Sequence, residues 1–123
     1  MLKFKNDSQQ LHDEFHYAIT EPLRVILYNL AGYLESNHQK DLTLTSLIRT
    51  DNPASVHAYG RGADAETSNL TEQERMSAED FINENFPYAS DGRGIKTILY
   101  EYAGQIAGGR TSTGNHWHIQ TRV

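Results

Sequence analysis

Two short segments of the chain contain the residue types that bind metals and carry out hydrolysis. The first, residues 55–64, contains His57 and Asp64, and the second, close to the C-terminus, contains His116 and His118. The chain has no cysteine, which leaves His, Asp and Glu as the candidate metal ligands. The rest of the chain must therefore bring these two segments together.

The C-terminal segment has the alternation of a β-strand. Residues two apart in a strand point to the same face, so His116, His118 and Gln120 share one face of the predicted strand. Trp117 and Ile119 share the other face and fit the core side. Both histidines are expected to point into one cavity, where one can bind a metal and the other can serve the reaction.

His57 and Asp64 are seven residues apart, a spacing that no single helix or strand face explains. Gly60 and Gly62 lie between them and permit tight turns, so the two side chains can converge from a loop and the strand after it. Two imidazoles, one carboxylate and an open fourth position are typical of a catalytic zinc centre. Zinc makes water a nucleophile near neutral pH and polarises the carbonyl under attack.

An arginine beside such a centre would explain the choice of substrate, because guanidinium binds a carboxylate through two hydrogen bonds. Arg49 follows a predicted strand just before the first segment, and Arg61 lies inside that segment. Both arginines are candidate substrate-binding residues on these grounds.

The first segment resembles the signature of a known family. The pattern Ser55-x-His57-x-x-Gly60-x-Gly62-x-Asp64 is similar to the Ser-x-His-x-x-Gly-x-Ala-x-Asp signature of zinc D-alanyl-D-alanine carboxypeptidases and dipeptidases. That family includes phage L-alanyl-D-glutamate endolysins, and its fold is shared with the hedgehog signalling domain. Gly62, where alanine is usual, is a mild departure from the signature.

Two further segments extend the resemblance in the family's order, from about Leu42 to the C-terminus. The segment from Ser46 to Arg49 looks like the family's Ser-x-x-Arg, whose arginine contacts substrate. His116-x-His118 resembles a late His-x-His of the wider superfamily, in which the second histidine is the third zinc ligand.

The resemblance implies that His57, Asp64 and His118 bind Zn²⁺ and that Arg49 binds a substrate carboxylate. Ser55 of the signature is grouped with the substrate-binding residues on the same basis. The fold that it implies is α+β, with N-terminal helices packed on a small, mainly antiparallel sheet of the hedgehog and D-Ala-D-Ala peptidase type.

A more serious departure concerns the general base. Many family members have Glu or Asp three residues before the last ligand, but this chain has Asn115, which cannot accept a proton in that role. His116 is one candidate replacement, as a base or as a stabiliser of the oxyanion. Glu101, near the end of the preceding predicted strand, is the other. The sequence leaves both alternatives open.

Composition limits the class of protein. The formal net charge of −5 disfavours a nucleic-acid binder, which needs a basic face for phosphates. No window approaches the roughly 20 apolar residues of a membrane span, and no export signal is evident near the N-terminus. We expect a monomer without nucleic-acid or membrane partners. It would be made in the cytoplasm and act on the cell wall as a phage or prophage lysis protein, or as a virion-associated one.

The 123 residues are expected to form one domain. Periodicity predicts N-terminal helices over about residues 8–37, with a restart at Pro22, and a metal-site core over about residues 42–123. Thr71 and Glu74 have the spacing of a capping box for a later helix, from about 69 to 86, and Ser77 with Asp80 offers a second possible start. The remaining predictions are strands over 41–50, 94–102 and 116–123 and a loop over 103–115. The second N-terminal helix is predicted to direct five side chains to the core: Val25, Ile26, Leu30, Tyr33 and Leu34.

The sequence thus predicts a zinc-dependent peptidase that hydrolyses D-amino-acid-containing peptides, with peptidoglycan stem peptides as substrates, in carboxypeptidase or endolysin fashion. A non-catalytic zinc-binding structural or peptidoglycan-binding module, such as a phage tail component, is the alternative that Asn115 favours. The other histidines, His12, His16 and His38, are expected to be ordinary surface or core residues.

Overall fold

The fold comes from a computed structural model that describes residues 1–89, 94–102 and 114–123. In this part of the chain there are three α-helices and five β-strands. The helices are α1 (Gln9–Tyr17), α2 (Glu21–His38) and α3 (Glu72–Asn85); the strands are β1 (Leu2–Phe4), β2 (Leu42–Ser46), β3 (Gly62–Glu66), β4 (Ile98–Glu101) and β5 (His116–Gln120). The predicted α+β class is confirmed, whereas its hedgehog-type arrangement stays a prediction.

The strands form one mixed sheet in the order β1-β2-β3-β5-β4. β1 and β2 are parallel, and α1 and α2 form the crossover that a parallel pair requires. The other three neighbouring pairs are antiparallel. The order places β5 between β3 and β4, so both neighbours can present side chains beside its histidines.

The two N-terminal helices begin and end close to the predicted positions. The Ser8 hydroxyl accepts a hydrogen bond from the Leu11 backbone N–H (3.2 Å) and caps α1, as serine does at helix N-termini. Thr20 precedes α2, and Pro22 lies in its first turn, where its missing N–H costs no helical hydrogen bond. One core prediction for α2 is wrong: Val25 is 41% exposed, because the buried stripe of this helix instead includes Leu23 and Leu27.

Helix α3 starts at the predicted capping box. The Thr71 hydroxyl accepts from the Glu74 N–H, and the Glu74 carboxylate accepts from the Thr71 N–H. The Tyr33 ring of α2 stacks on the Phe81 ring of α3 at a centroid distance of 4.5 Å. This stacking joins the two longest helices beside the sheet.

The predicted strands are longer than the observed ones. β2 ends at Ser46, after a register shift against β3 between Leu44 and Ser46. Beyond this point the Ile48 N–H donates to the Glu14 carboxylate instead of to a strand. β4 begins only at Ile98, and β5 ends at Gln120. Part of the predicted loop, residues 103–113, lies outside the described residues.

The hydrophobic core lies between the sheet and the helices. Trp117 and Ile119 of β5 are fully buried in it, as are Ala63 and Ala65 of β3. The partner side chains come from the helices and the first strands, and include Phe15, Leu23, Leu27, Leu30, Leu34, Leu42, Leu44 and Ile82. In the described part of the chain, no helix combines the length and the apolarity needed to cross a bilayer.

Candidate metal centre

The candidate centre lies on the face of the sheet opposite Trp117 and Ile119. His118 of β5 pairs with Asp64 of β3, and His116 pairs with Glu101 of β4. Because paired residues in adjacent strands share a face, the two carboxylates flank the two imidazoles. The alternation predicted for the C-terminal strand is confirmed, and it separates site residues from core residues.

His57 enters the centre from a short 3-10 turn, Val56–Tyr59. The Ser55 hydroxyl accepts the His57 backbone N–H at 3.2 Å and caps the turn. Gly60 ends it in the left-handed conformation, with φ of 71°, which glycine adopts at no steric cost. The His57 ring is 1% exposed. The turn therefore presents the imidazole from a buried position directly before β3.

Close packing around residue 62 explains why this position is a glycine. A Cβ atom at this position would lie 2.6 Å from Val56 Cγ2 and 3.2 Å from the His57 backbone nitrogen. Only glycine lets β3 approach the 3-10 turn this closely. The departure from the family signature at Gly62 thus matches the local packing beside His57.

The three residues His57, Asp64 and His118 converge on one carboxylate oxygen. His57 Nε2 lies 3.4 Å from Asp64 Oδ1, and His118 Nδ1 lies 3.3 Å from the same oxygen. In a tetrahedral site with bonds of about 2.0–2.1 Å, neighbouring ligand atoms lie roughly 3.3–3.4 Å apart. The cluster is positioned to bind a metal ion.

The outer nitrogens of both rings are fixed by hydrogen bonds. His57 Nδ1–H donates to the Leu47 carbonyl at 2.7 Å, and His118 Nε2–H donates to Gln120 Oε1 at 3.1 Å. The Gln120 amide is itself oriented by its hydrogen bond to the Lys96 carbonyl. In the neutral form of each ring, these hydrogen bonds leave the inner nitrogen with a lone pair that can bind a cation, as outer-shell partners arrange in metal sites.

His57 Nε2 is the atom of this cluster whose surroundings most directly favour a bound cation. It is buried and makes no hydrogen bond in the described part of the chain, and its separation from Asp64 exceeds the usual N–H···O range. A buried polar atom without a partner is costly. A metal ion at this position would satisfy it.

The ionisation of the cluster suits a cation. Burial opposes ionisation of the Asp64 carboxyl, but the His118 and His57 rings beside it hold the pKa of Asp64 well below its usual range. Burial also disfavours the imidazolium form of His118, yet the Asp64 carboxylate prevails and raises the pKa of His118. Asp64 is therefore ionised throughout the neutral range and can bind a cation.

Arg49 lies on the other side of the same carboxylate. Its Nη2 is 3.5 Å from Asp64 Oδ2, and its side chain is 35% exposed. Its Nε is buried without a hydrogen-bond partner in the described part of the chain. The guanidinium thus has donor capacity beside the cluster and is reachable from solvent.

His116 and Glu101 form a second pair beside the first cluster. His116 Nε2 lies 3.0 Å from Glu101 Oε1 and 3.9 Å from Asp64 Oδ1. Both side chains are mostly buried, with 16% and 15% exposure. The two candidates for proton transfer are therefore in direct contact with each other and next to Asp64.

The remaining residues predicted for the site, Ser55 and Arg61, and the departure at Asn115 have the following surroundings. In the part of the chain that the structure describes, the Ser55 hydroxyl is linked to the centre through the His57 backbone N–H that it accepts. The Arg61 guanidinium lies over the Tyr59 ring and donates to the Arg122 carbonyl. Its described contacts are therefore with Tyr59 and with the backbone near the C-terminus. Asn115 is exposed and precedes β5.

Several functional atoms had no signal in the sequence. The acceptor for His57 is the backbone carbonyl of Leu47, and the acceptor for His116 Nδ1–H is the backbone carbonyl of Gly114, at 3.0 Å. Every residue has a backbone carbonyl, so residue type does not predict which carbonyl accepts a hydrogen bond from a histidine. Gln120 was the exception, since strand alternation already placed it on the face of His118.

Comparisons with protein-family models, with curated proteins and with solved structures gave no match to this chain.

Proposed function

We propose that the protein is a zinc-dependent peptidase that hydrolyses peptides containing D-amino acids, with peptidoglycan stem peptides as its substrates. The observation that carries this proposal is the convergence of His57 Nε2 and His118 Nδ1 on Asp64 Oδ1, at 3.4 and 3.3 Å. The resemblance of the signature segment to D-Ala-D-Ala peptidases supplies the substrate class. The same resemblance favours a phage or prophage lysis protein, or a virion-associated one.

The donor set fits zinc. Two imidazoles and one carboxylate are the ligands of many hydrolytic zinc centres, which keep a further position open for water or substrate. His57, Asp64 and His118 would hold the ion, with the Leu47 carbonyl and the Gln120 amide orienting the two rings. A bound zinc ion would generate a nucleophile from water and polarise the scissile carbonyl.

Arg49 would select the substrate. Its guanidinium lies beside Asp64 with an unpartnered Nε in the described part of the chain, and a guanidinium binds a carboxylate through paired hydrogen bonds. Stem peptides offer such carboxylates at D-amino-acid residues. Arg49 would thus hold the substrate carboxylate while the scissile bond lies over the metal ligands.

The His116–Glu101 pair would move the proton. Hydrolysis transfers one hydrogen of water to the leaving amine nitrogen while the oxygen bonds to the carbonyl carbon. A group next to the metal ligands must accept that proton and return it. The contact of 3.0 Å between His116 Nε2 and Glu101 Oε1 supports the pair in this role, in place of the acid missing at Asn115.

The test is digestion of purified stem peptides by protein loaded with one zinc per chain, followed by mass spectrometry of the products. We expect cleavage by the parent protein, none by His57→Ala, and a loss of about 100-fold or more in His116→Ala and Glu101→Gln. Glu84→Gln, an exposed carboxylate on α3, is the matched control and should retain the parent rate. Intact peptides from the zinc-loaded parent protein would overturn the peptidase proposal.

A second candidate is a non-catalytic zinc-binding or peptidoglycan-binding module, such as a phage tail component. Asn115, which occupies the position of the family's acidic base, favours it. This candidate expects stem peptides to bind to the zinc-loaded protein without cleavage. It also expects Arg49→Ala to weaken peptide binding, whereas Glu101→Gln should leave binding unchanged.

A further inference from the structure

The His116–Glu101 pair has a donor and acceptor imbalance that its proposed role in proton transfer leaves unexplained. His116 Nδ1 lies 3.0 Å from the Gly114 carbonyl oxygen, and Nε2 lies 3.0 Å from Glu101 Oε1. Both of these atoms are acceptors, but a neutral imidazole has only one N–H. With Nδ1–H donating to Gly114, the Nε2 lone pair faces a carboxylate oxygen.

Either a second proton on the ring or a metal cation between the two atoms would resolve this arrangement, and the geometry of the neighbouring ligands suits a cation. His116 Nε2, Glu101 Oε1 and an Asp64 oxygen lie within 4.8 Å of one another. The separations from Nε2 are 3.0 Å to Glu101 and 3.9 Å to Asp64. These values lie on either side of the roughly 3.3–3.4 Å between neighbouring ligands in a tetrahedral site, so small side-chain movements would suit a cation.

We propose that Asp64, Glu101 and His116 form a second site for a divalent transition-metal cation, next to the His57–Asp64–His118 cluster and sharing Asp64 with it. One imidazole and two carboxylates are a donor set that such cations accept. Pairs of metal ions that share ligands lie about 3.5–4 Å apart in known two-metal sites. The shared carboxylate is already ionised and central to both clusters.

The second site is the weaker of the two. It has one imidazole where the first cluster has two, and it shares its Asp64 ligand. Two divalent ions near one carboxylate also repel each other. We expect the second zinc ion to bind about tenfold or more weakly than the first, because of this repulsion and the poorer donor set.

Filling the second site would inhibit the enzyme, a consequence that rests on the proposed peptidase function. A cation between His116 and Glu101 occupies the Nε2 lone pair and the carboxylate that would otherwise take up the proton from water. Turnover should therefore rise as the first site fills with zinc and fall as the second site fills. The protein would then sense the concentration of free zinc.

The test is a zinc-binding titration of the whole chain by equilibrium dialysis, with the metal measured by mass spectrometry. The exposed histidines His12 and His16 of α1, whose ring centroids are 4.5 Å apart, offer another place for zinc. The titration is therefore carried out in a His12→Ala/His16→Ala background. We expect two equivalents in that background and one in the same background with Glu101→Gln or His116→Ala. Glu84→Gln is the matched control and should keep two.

One zinc equivalent in the background protein at every concentration would overturn the second site. So would a second equivalent that persists in both Glu101→Gln and His116→Ala, because the metal would then lie elsewhere. Peptide cleavage measured on the same samples separates the two proposals. Two equivalents without cleavage at any zinc concentration would support the cation site and overturn the peptidase together with its inhibition; cleavage with a single equivalent would do the reverse.

Discussion

The five residues of β5 alternate between two faces of the sheet that have different surroundings. On one face, Trp117 and Ile119 are fully buried in the core, and Trp117 Nε1–H donates to Glu79 at 2.9 Å. On the other face, His116 and His118 each have one ring nitrogen fixed by an acceptor and the other directed at a carboxylate. The core face pairs its indole N–H with a carboxylate, whereas the site face positions imidazoles and carboxylates so that they can bind a cation.

This contrast separates stability from metal binding. Substitutions on the core face should unfold the protein without a specific effect on metal affinity of the folded fraction. Substitutions on the site face should remove the metal while leaving the fold in place. Each of the following changes tests that separation.

Trp117→Ala should have the largest effect. It removes a fully buried ring and leaves a cavity, which should lower the free energy of unfolding by about 3–5 kcal/mol. Urea denaturation of the metal-free protein measures this loss. Tyr17→Ala, which removes an aromatic side chain that is 85% exposed, is the control and should change stability little. Equal effects of the two substitutions would show that β5 does not anchor the core.

His57→Ala should strongly weaken the first zinc site. It removes the ligand whose Nε2 has no hydrogen bond in the described part of the chain, and we expect zinc affinity to fall by more than about 100-fold, beyond the effect of losing an outer-shell partner. Competition with a chromophoric chelator measures the affinity. His12→Ala removes an exposed histidine and should leave it unchanged. Parent-like affinity in His57→Ala would remove this residue from the ligand set.

Zinc affinity should fall as the pH falls. Burial disfavours charge on His118, but Asp64 prevails and raises its pKa above the ordinary 6.5, and a proton on this ring competes with the metal. Weakening should therefore begin at a higher pH than for an ordinary histidine and approach about tenfold per pH unit for each proton displaced. The pKa of Asp64 is too low for this carboxylate to contribute. Affinity that stays constant down to pH 5.5 would contradict a site built on imidazoles.

Gln120→Ala should weaken zinc binding without removing a ligand. Its side-chain oxygen accepts the His118 Nε2–H at 3.1 Å, and loss of such an outer-shell acceptor costs about 10–100-fold in metal affinity. The control is Gln10→Ala, which changes an exposed glutamine on α1. If Gln120→Ala binds zinc like the parent protein, the orientation of His118 is set by something other than this hydrogen bond.

Gly62→Ala should have the smallest effect and is open to rescue. The added Cβ would lie 2.6 Å from Val56 Cγ2, which should displace the turn that carries His57 and cost about 1–3 kcal/mol of stability. Zinc affinity should fall by about tenfold or less, on the scale of an outer-shell disturbance. Adding Val56→Ala removes the closest clash and should restore part of the affinity. A double variant no better than Gly62→Ala alone would show that the clash with Val56 is not the cause.

The sequence predicts the site better than it predicts the limits of the elements that hold it. The alternation of His116, Trp117 and His118 is informative because a buried tryptophan fixes which face is the core. By contrast, β1 has only three residues, too few for a periodic pattern. The pairing of Glu101 with His116 depends on strand register, which a single strand pattern does not contain.

The two candidate arginines also show that the sequence alone does not predict which side chains reach the site. Arg49 and Arg61 are equally suitable by residue type, but the fold brings only Arg49 within an ion-pair distance of Asp64. The direction of Arg61 follows from its contacts with Tyr59 and the backbone of Arg122. Loop residues lack a face that periodicity can identify, so their orientation emerges only from the assembled structure.

The most direct test of the central claim is zinc K-edge X-ray absorption on protein loaded with one equivalent of zinc. The site of His57, Asp64 and His118 predicts scattering from two imidazoles and a first shell of nitrogen and oxygen at about 2.0–2.1 Å. His57→Ala loaded in the same way should lose one imidazole contribution. An oxygen-only first shell in the parent protein, or the same spectrum in parent and variant, would contradict the claim.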